Sequence, residues 1–384
     1  MKTVKFGDVV KEVKNNVDRA NNPYEYYVAG DHMDSEELKI HRRGCFATDD
    51  VGPAFIRIFK PGQVLYGSRR TYLKKVAVAD FEGVTANTTF VLESKDQSEF
   101  LQELLPYVML TENFTDWSIL HSKGSTNPYV LFSDLANYEF QLPDIQTQEQ
   151  LKELLLAMER TKTAYKNLIA QTDELVKARF IEMFGDPESN PFGWEQMPLS
   201  SIVVNSNNGI TRRGNDPDGQ IVLRIAELQD GYIDYSNVNR IATRDKEQKC
   251  LLINRDLLFV RVNGNPDYVG RSAVYEDIGE PVYHNDHIIR VHIDEQKADV
   301  VFVRGFTTSD YGKKQLKDNV KTSAGQYSIS QDGICGIQIY LPPIKEQERY
   351  VEFVRQSDKS IFAAQQALAD LTGAQKALMR QYLG

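Results

Sequence analysis

The 384-residue sequence has few cysteines and no long apolar run. Its three cysteines, Cys45, Cys250 and Cys335, are odd in number and far apart, which argues against a disulfide framework or a clustered metal site. No apolar stretch approaches the roughly 18 residues typical of a membrane span, and residues 1–8 lack the apolar core of a signal peptide. The sequence therefore predicts a cytoplasmic protein.

An excess of positive charge is also missing. The net charge is −9, which counts against a chain that binds nucleic acid through bulk charge alone, although local basic patches or a partner could still supply phosphate contacts. The hydrophobic share of 41% and charged share of 26% are those of ordinary globular proteins. The length predicts two or three domains.

The sequence contains parts of several catalytic motifs, but each lacks residues that the chemistry needs. Residues 209–216 have the glycine spacing of a phosphate-binding loop, but Asn215-Asp216 stands where Lys-Ser/Thr is needed. Asp218 with residues 247–249 imitates the carboxylates of a metal-dependent nuclease, yet residues 217–219 are more simply a turn. His284 and His287 have no third ligand nearby. We expect no catalytic residue, metal site or cofactor.

One segment of the chain is present in two copies. Residues 142–149 read Leu-Pro-Asp-Ile-Gln-Thr-Gln-Glu and residues 341–348 read Leu-Pro-Pro-Ile-Lys-Glu-Gln-Glu, a constant offset of 199 positions. A repeat this long indicates duplication of a whole unit and not a solenoid of small repeats.

Each copy opens a long helical pattern. Apolar residues recur at alternating steps of three and four, which is typical of a coiled coil. Thr147 and Gln150 suggest a capping box, Gly185 before Pro187 suggests a stop, and Gly373 lies inside the second helix. We expect two helices of about 40 residues, roughly 60 Å long, packed as an antiparallel coiled coil. The alternative is two unrelated core helices.

The segments before each helix have matching plans of short strands, a helical pattern and a small-residue loop. The strand-like runs include residues 54–59, 63–66 and 88–92 in the first segment and residues 221–225, 257–261 and 287–291 in the second. Helical patterns cover residues 98–110 and 298–316. The small-residue loops are residues 122–126 and 322–325. The expected class is α+β, with two globular α/β domains and a pseudo-two-fold repeat: domain 1–141, helix 142–187, domain 188–340 and helix 341–384.

Polar loops with cations occupy matching places in the two segments. Arg and Asn can bond the edges of G and A through two hydrogen bonds, and Lys suits phosphates. Duplex DNA fits two reading modules held at a fixed distance, since such modules read separated half-sites. For each loop alone, a solvated turn is the simpler interpretation. The candidate DNA-binding residues are Ser68, Arg69, Arg70, Tyr72, Lys74, Lys123, Ser125, Thr126, Arg212, Arg213, Arg261, Asn263, Asn265, Tyr268, Lys313, Lys314, Lys321 and Ser323.

These features together resemble the specificity (S) subunits of type I restriction–modification enzymes. The resemblance covers nearly the whole chain and rests on the paired Leu-Pro-x-Ile-x-x-Gln-Glu openings and on residues 179–187, Arg-Phe-Ile-Glu-Met-Phe-Gly-Asp-Pro, which lead to Gly193-Trp194. It implies two target recognition domains that each read half of a split DNA target, with the helices as a ruler between them. It also implies methyltransferase (M) subunits, expected to be two, and restriction (R) subunits as partners that perform the catalysis.

Two helices alone cannot bury all of their apolar side chains, so we expect a partner surface on them. The candidate partner-binding residues are Leu154, Leu155, Phe180, Phe184, Phe353 and Leu378. Two other functions stay open: a coiled-coil adaptor that joins proteins without reading DNA, and a metal-dependent nuclease.

Overall fold

The computed structural model describes residues 1–323 and 325–384. The chain forms two compact units. Unit 1 comprises residues 1–166 and 365–384, and unit 2 comprises residues 167–364. Each unit therefore combines a globular segment with parts of both long helices. The four-segment division predicted from the sequence stays a prediction.

Unit 1 begins and ends its globular segment with paired strands. Its strands are β1 (Lys2–Lys5), β2 (Val10–Glu12), β3 (Tyr26–Val28), β4 (Gly44–Cys45), β5 (Phe55–Phe59), β6 (Val64–Gly67), β7 (Val76–Val78), β8 (Gly83–Ala86), β9 (Thr89–Ser94) and β10 (Glu139–Leu142). Its helices are α1 (Phe6–Val9), α2 (Leu105–Met109), α3 (Glu112–Leu120), α4 (Phe132–Leu135) and the long α5 (Ile145–Phe184), which continues into unit 2.

The strands of unit 1 form three small sheets. Strands β1 and β10 pair antiparallel. A four-stranded antiparallel sheet has the order β2-β9-β6-β7, and a second has the order β4-β3-β8-β5 with a parallel β3–β8 pair. Apolar runs such as residues 64–66 and 90–92 are buried, which explains why these segments form central strands.

Unit 2 repeats this plan. Its strands are β11 (Gln196–Pro198), β12 (Val203–Asn208), β13 (Gln220–Leu223), β14 (Arg240–Ile241), β15 (Leu257–Val260), β16 (Val262–Asn263), β17 (Ser272–Val274), β18 (Val282–His284), β19 (Ile288–Ile293), β20 (Lys321–Ser323), β21 (Gln326–Ser328) and β22 (Gln338–Tyr340). Its helices are α6 (Val300–Thr308), α7 (Asp310–Asp318), α8 (Gln331–Cys335) and the long α9 (Ile344–Leu383), which ends in unit 1.

The sheets of unit 2 correspond to those of unit 1. Strand β11 pairs with β22, one sheet has the order β12-β19-β15-β17, and another has the order β14-β13-β18 with a parallel β13–β18 pair. Unit 2 adds a three-stranded sheet, β16-β21-β20. The shared topology confirms the internal repeat and the α+β class predicted from the sequence.

The long helices pack against each other in both units. In unit 1, Glu159 of α5 bonds Gln375 near the end of α9. In unit 2, the ring of Phe180 near the end of α5 lies 5.4 Å from that of Tyr350 near the start of α9. In unit 2, the ring of Phe184 lies 5.6 Å from that of Tyr350, and Arg179, five residues earlier on α5, lies 5.8 Å from the ring of Phe353, three residues later on α9, so the two helices run antiparallel there. None of the described helices is long and apolar enough to cross a membrane.

Three local predictions need correction. The cap of α5 is Asp144 and not Thr147, because the Asp144 carboxylate accepts from the Thr147 amide at 2.9 Å. The helix predicted at 98–110 begins as a 3-10 turn over Gln102–Leu104 before α2. The helix predicted at 298–316 is two helices, because the Ser309 hydroxyl accepts from the Gly312 amide and starts α7. The predicted stop is confirmed: α5 ends at Phe184, and Gly185 has a φ of +79°.

Candidate nucleic-acid interface

In unit 1, the two loops singled out in the sequence lie side by side. The amide of Val130 donates to the Ser68 carbonyl at 2.9 Å, and the amide of Arg70 donates to the Pro128 carbonyl at 2.7 Å. Tyr129 forms β-bridges with both Arg69 and Lys123. The loop after β6 and the loop after α3 therefore make one surface, which we call the unit 1 loop surface (residues 68–74 and 121–130).

The unit 1 loop surface exposes a few of the predicted side chains. Arg69, Arg70, Ser125 and Thr126 are exposed, and Tyr72 is 54% exposed. These groups combine guanidinium, hydroxyl and aromatic chemistry, which suits phosphates and base edges.

Three other predicted residues on this surface are already engaged. Ser68 is buried, and its hydroxyl donates to the Thr88 carbonyl at 2.6 Å, so its DNA contact stays a prediction that this bond does not support. Lys123 pairs with Asp134 at 3.1 Å. Lys74 is only 13% exposed and pairs with Glu36 at 3.2 Å and Glu112 at 2.6 Å, so Lys74 supports the loop and is not free to reach a phosphate.

Unit 2 builds an equivalent surface from different residues. The amide of Ile329 donates to the Arg261 carbonyl at 3.0 Å, the counterpart of the Val130–Ser68 bond. Val262 pairs with Ser328, and Lys321 also pairs with Ser328, as strands of the added sheet. We call this the unit 2 loop surface (residues 209–215, 261–271, 284–287 and 321–328 without residue 324).

A third loop joins the unit 2 loop surface. Ile210 forms a parallel β-bridge with Asn285. The Arg213 guanidinium donates to the Asp286 carboxylate at 2.8 Å, while the Nε of Arg261 donates to the Asp286 carbonyl at 2.7 Å. Residues 209–215 and 261–271, far apart in sequence, therefore meet at Asp286. Arg213 remains more than half exposed.

Neighbouring Arg212 has a structural role. Its guanidinium donates to both Glu247 oxygens, at 2.7 and 2.8 Å, and the Glu247 side chain is 9% exposed. The pKa of Glu247 is lowered chiefly by this hydrogen bond. The DNA contact of Arg212 stays a prediction, and the bonds to Glu247 give its guanidinium a partner within the unit. Glu247 is occupied as the partner of this guanidinium, which removes it from the carboxylate pair of the nuclease hypothesis.

Of the remaining predicted residues of unit 2, some stabilise turns and others are exposed. Asn263 and Asn265 accept backbone amides within their own loop, at 2.9 and 3.0 Å, and Arg271 stacks on Tyr268 at 3.7 Å. Lys313 and Lys314 are both exposed, and Lys314 pairs with Glu188 at 2.6 Å. Lys321 and Ser323 are exposed on β20, but Ala324 of the predicted 322–325 loop lies outside the described residues.

The two histidines do not form a metal site. His284 is fully buried, and this burial, with Arg290 nearby, lowers its pKa to about 4. His287 contacts Arg213 through Nε2 at 3.3 Å. No cluster of three or more potential metal ligands occurs among residues 1–323 and 325–384.

The predicted partner-binding residues on the long helices differ in their exposure. Leu154 is 46% exposed, while Phe353 and Leu378 are half-buried. Leu155, Phe180 and Phe184 are buried, so their prediction as an exposed partner surface is wrong. The reason is that each unit packs its globular core on the helices, which the two-helix argument left out.

Sequence reasoning missed two residues of these surfaces. Tyr129 is 42% exposed, and its place between Arg69 and Lys123 depends on β-bridges between distant segments, which the sequence does not reveal. Asp286, which joins two loops, follows a strand in a polar turn that offered no such signal.

The chain is similar to known proteins in sequence and in fold. Residues 1–172 match the family model described as the type I restriction modification DNA specificity domain. The StySPI specificity subunit of Salmonella potsdam is 35% identical over 166 residues, and the EcoKI specificity subunit of Escherichia coli (strain K12) is 25% identical over 219 residues. These matches cover 43% and 54% of this chain, and the chain spans 36% and 47% of the two relatives.

A solved structure, the type I restriction–modification S subunit from M. genitalium, has the same fold. Its TM-score is 0.56 at 14% identity, over 99% of this chain and 95% of that chain. Residues 1–172 are thus similar to a type I DNA specificity domain, and the resemblance to specificity subunits predicted from the sequence is confirmed.

Proposed function

We propose that this chain is the DNA sequence-specificity subunit of a type I restriction–modification system. The observation that carries the proposal is the duplicated loop surface. In unit 1, the loop after β6 is hydrogen-bonded to a loop more than 50 residues later in the chain. In unit 2, the loop after β15 makes the equivalent backbone hydrogen bond to a loop that is also more than 50 residues later. The scaffold is repeated while the exposed side chains differ, as two readers of unlike half-sites require.

The two surfaces offer different chemistry to a duplex. Unit 1 presents Arg69, Arg70 and Tyr72, whereas unit 2 presents Arg213, Lys321 and Ser323. Arginine bonds the O6 and N7 of guanine, and hydroxyl and lysine groups bond phosphates or base edges. With a net charge of −9, the chain depends on these local groups and on partners for its hold on DNA.

The long helices set the separation of the half-sites and dock the other subunits. In unit 2, Leu168 and Leu175 are exposed on α5 seven residues apart, the spacing at which another helix packs. Two methyltransferase subunits and the restriction subunits are the proposed partners, and catalysis belongs to them. The chain itself is non-catalytic and needs no cofactor.

Selection from random duplexes tests this function. The chain, assembled with methyltransferase subunits, should enrich a bipartite sequence with a fixed gap. A protein adaptor would enrich no sequence, and a nuclease would cut DNA as the purified chain with magnesium. Either result would overturn the proposal.

A further inference from the structure

One acidic residue connects the unit 1 loop surface to a long helix. The Glu36 carboxylate lies 3.2 Å from the Nζ of Lys74 and 2.8 Å from the Nζ of Lys376, which belongs to α9. The Glu36 amide also donates to the Lys74 carbonyl at 3.1 Å. Glu36 therefore holds both the backbone and the side chain of Lys74.

Lys74 ends the turn that carries Tyr72. The amide of Leu73 donates to the Arg70 carbonyl at 2.8 Å, and the amide of Lys74 donates to the Thr71 carbonyl at 2.9 Å. These bonds make a single 3-10 turn over Thr71–Leu73, with Tyr72 54% exposed. The position of this exposed ring consequently depends on how Lys74 is held.

Unfavourable backbone conformations concentrate in this network. Over residues 1–323 and 325–384, five non-glycine residues have positive φ, and three of them are Glu36 (55°), Arg70 (50°) and Lys74 (48°). This left-handed conformation is unfavourable for an ordinary L-residue. Such conformations persist only where surrounding contacts enforce them, and they cluster at ligand-binding sites.

The ionic contacts here are better placed than an isolated surface pair. Exposed pairs contribute little because solvent screens them, but the Lys74 side chain is 13% exposed and binds two carboxylates. Partial burial alone would raise the pKa of Glu36, yet hydrogen bonds from Lys376 and Lys74 lower it overall. The next residue, Glu37, binds Lys166 of α5, so the segment is tied to both long helices.

We infer that Glu36 is a positioning residue, which fixes the Tyr72 turn against α9 through Lys74 and Lys376. The role in DNA reading rests on the proposed function, whereas the mechanical link between α9 and the turn does not. Through this link, the turn that faces the half-site of unit 1 is held in a fixed position on the long helices, which set the spacing of the half-sites.

Hydrogen–deuterium exchange on the full chain tests the link without DNA. Glu36→Gln and Lys376→Gln should each speed exchange of the Leu73 and Lys74 amides by about fivefold, the effect of losing roughly 1 kcal/mol of local stability. Glu36→Asp should restore most of the protection. Glu139→Gln is the matched control, because Glu139 is exposed on β10 and has no side-chain bond to the described residues. Unchanged exchange in Lys376→Gln would overturn the link to α9.

A DNA-binding measurement with the assembled complex tests the reading role. Glu36→Gln should reduce discrimination within the unit 1 half-site by about fivefold and leave discrimination within the unit 2 half-site intact. Faster exchange with unaltered discrimination would contradict a positioning role. A wild-type complex with no sequence preference at all would instead contradict the proposed function. In that case, the hydrogen–deuterium exchange result would still show whether Glu36 links the Tyr72 turn to α9.

Discussion

Gln148 and Gln347 hold equivalent buried positions, one in the first turn of each long helix. Both are 0% exposed and lie 199 positions apart. The Gln148 side chain accepts from the Leu101 amide at 3.0 Å and donates to the Pro143 carbonyl at 2.9 Å and to the Glu99 carbonyl at 2.8 Å. Gln347 accepts from the Asp299 amide at 2.9 Å and donates to the Pro342 carbonyl at 2.7 Å. A carboxamide supplies both a donor and an acceptor, which explains why glutamine recurs there.

Removing either carboxamide should destabilise its unit. Gln148→Leu keeps the approximate volume but leaves buried backbone groups unpaired, so we expect a loss of about 3 kcal/mol in the free energy of unfolding. Gln347→Leu, with fewer bonds to lose, should cost about 2 kcal/mol. Urea unfolding measures both, with exposed Gln150→Leu as the control. Equal stability of Gln148→Leu and Gln150→Leu would refute this anchoring.

Arg212 and Arg213 should respond in opposite ways to the same change. Arg212→Gln leaves the buried Glu247 carboxylate unpaired and should cost about 2 kcal/mol of stability. Arg213→Gln should change stability by less than about 1 kcal/mol, because its pair with Asp286 is solvent-exposed, but it should relax base preference in the unit 2 half-site by about 1–3 kcal/mol. Thermal unfolding and binding titrations against matched and mismatched half-sites separate these effects. If Arg213→Gln discriminates between half-sites like the wild type, Arg213 does not contact bases.

Arg70 separates backbone strain from side-chain function. Its φ of 50° suits glycine, so Arg70→Gly should be more stable than Arg70→Ala by about 1 kcal/mol. Both variants lack the guanidinium and should lose DNA affinity equally. Unfolding and DNA-binding measurements on the pair are decisive: if glycine alone keeps wild-type affinity, the arginine acts only through its backbone.

Buried His284 should make stability fall in mild acid. Its pKa is about 4 in the folded chain, below the ordinary value of 6.5, so the unfolded chain binds the proton first as pH falls. The free energy of unfolding should therefore decrease between pH 6.5 and pH 4, by as much as ~3 kcal/mol. Urea unfolding across this range should show a shallower decline for His284→Gln than for His41→Gln, an exposed control. Identical declines would exclude His284 as the cause.

The repeated scaffold was predictable because apolar periodicity and the paired openings are local signals. Residues 64–66 and 257–260 are apolar runs, and both lie in central strands. The start of α5 was harder, since Asp144 and Thr147 are both capable caps and only the three-dimensional contact selects Asp144.

The candidate site was less predictable because the sequence does not show whether a charged side chain is paired with another residue or free. Lys74 is neutralised by Glu36 and Glu112, and Arg212 by Glu247, all distant in sequence. Phe180 and Phe184 were assigned to an exposed flank because helical periodicity does not reveal which further elements pack on a helix. Long-range contacts decided each of these cases.

The central claim is that each loop surface reads one half of the DNA target, and sequencing of methylated motifs in cells tests this claim most directly. The chain, with its methyltransferase subunits, should direct methylation to a two-part motif. Arg69→Gln should relax bases in one part only, and Arg213→Gln bases in the other part only. A single continuous motif, or variants that each degrade both parts together, would contradict the account.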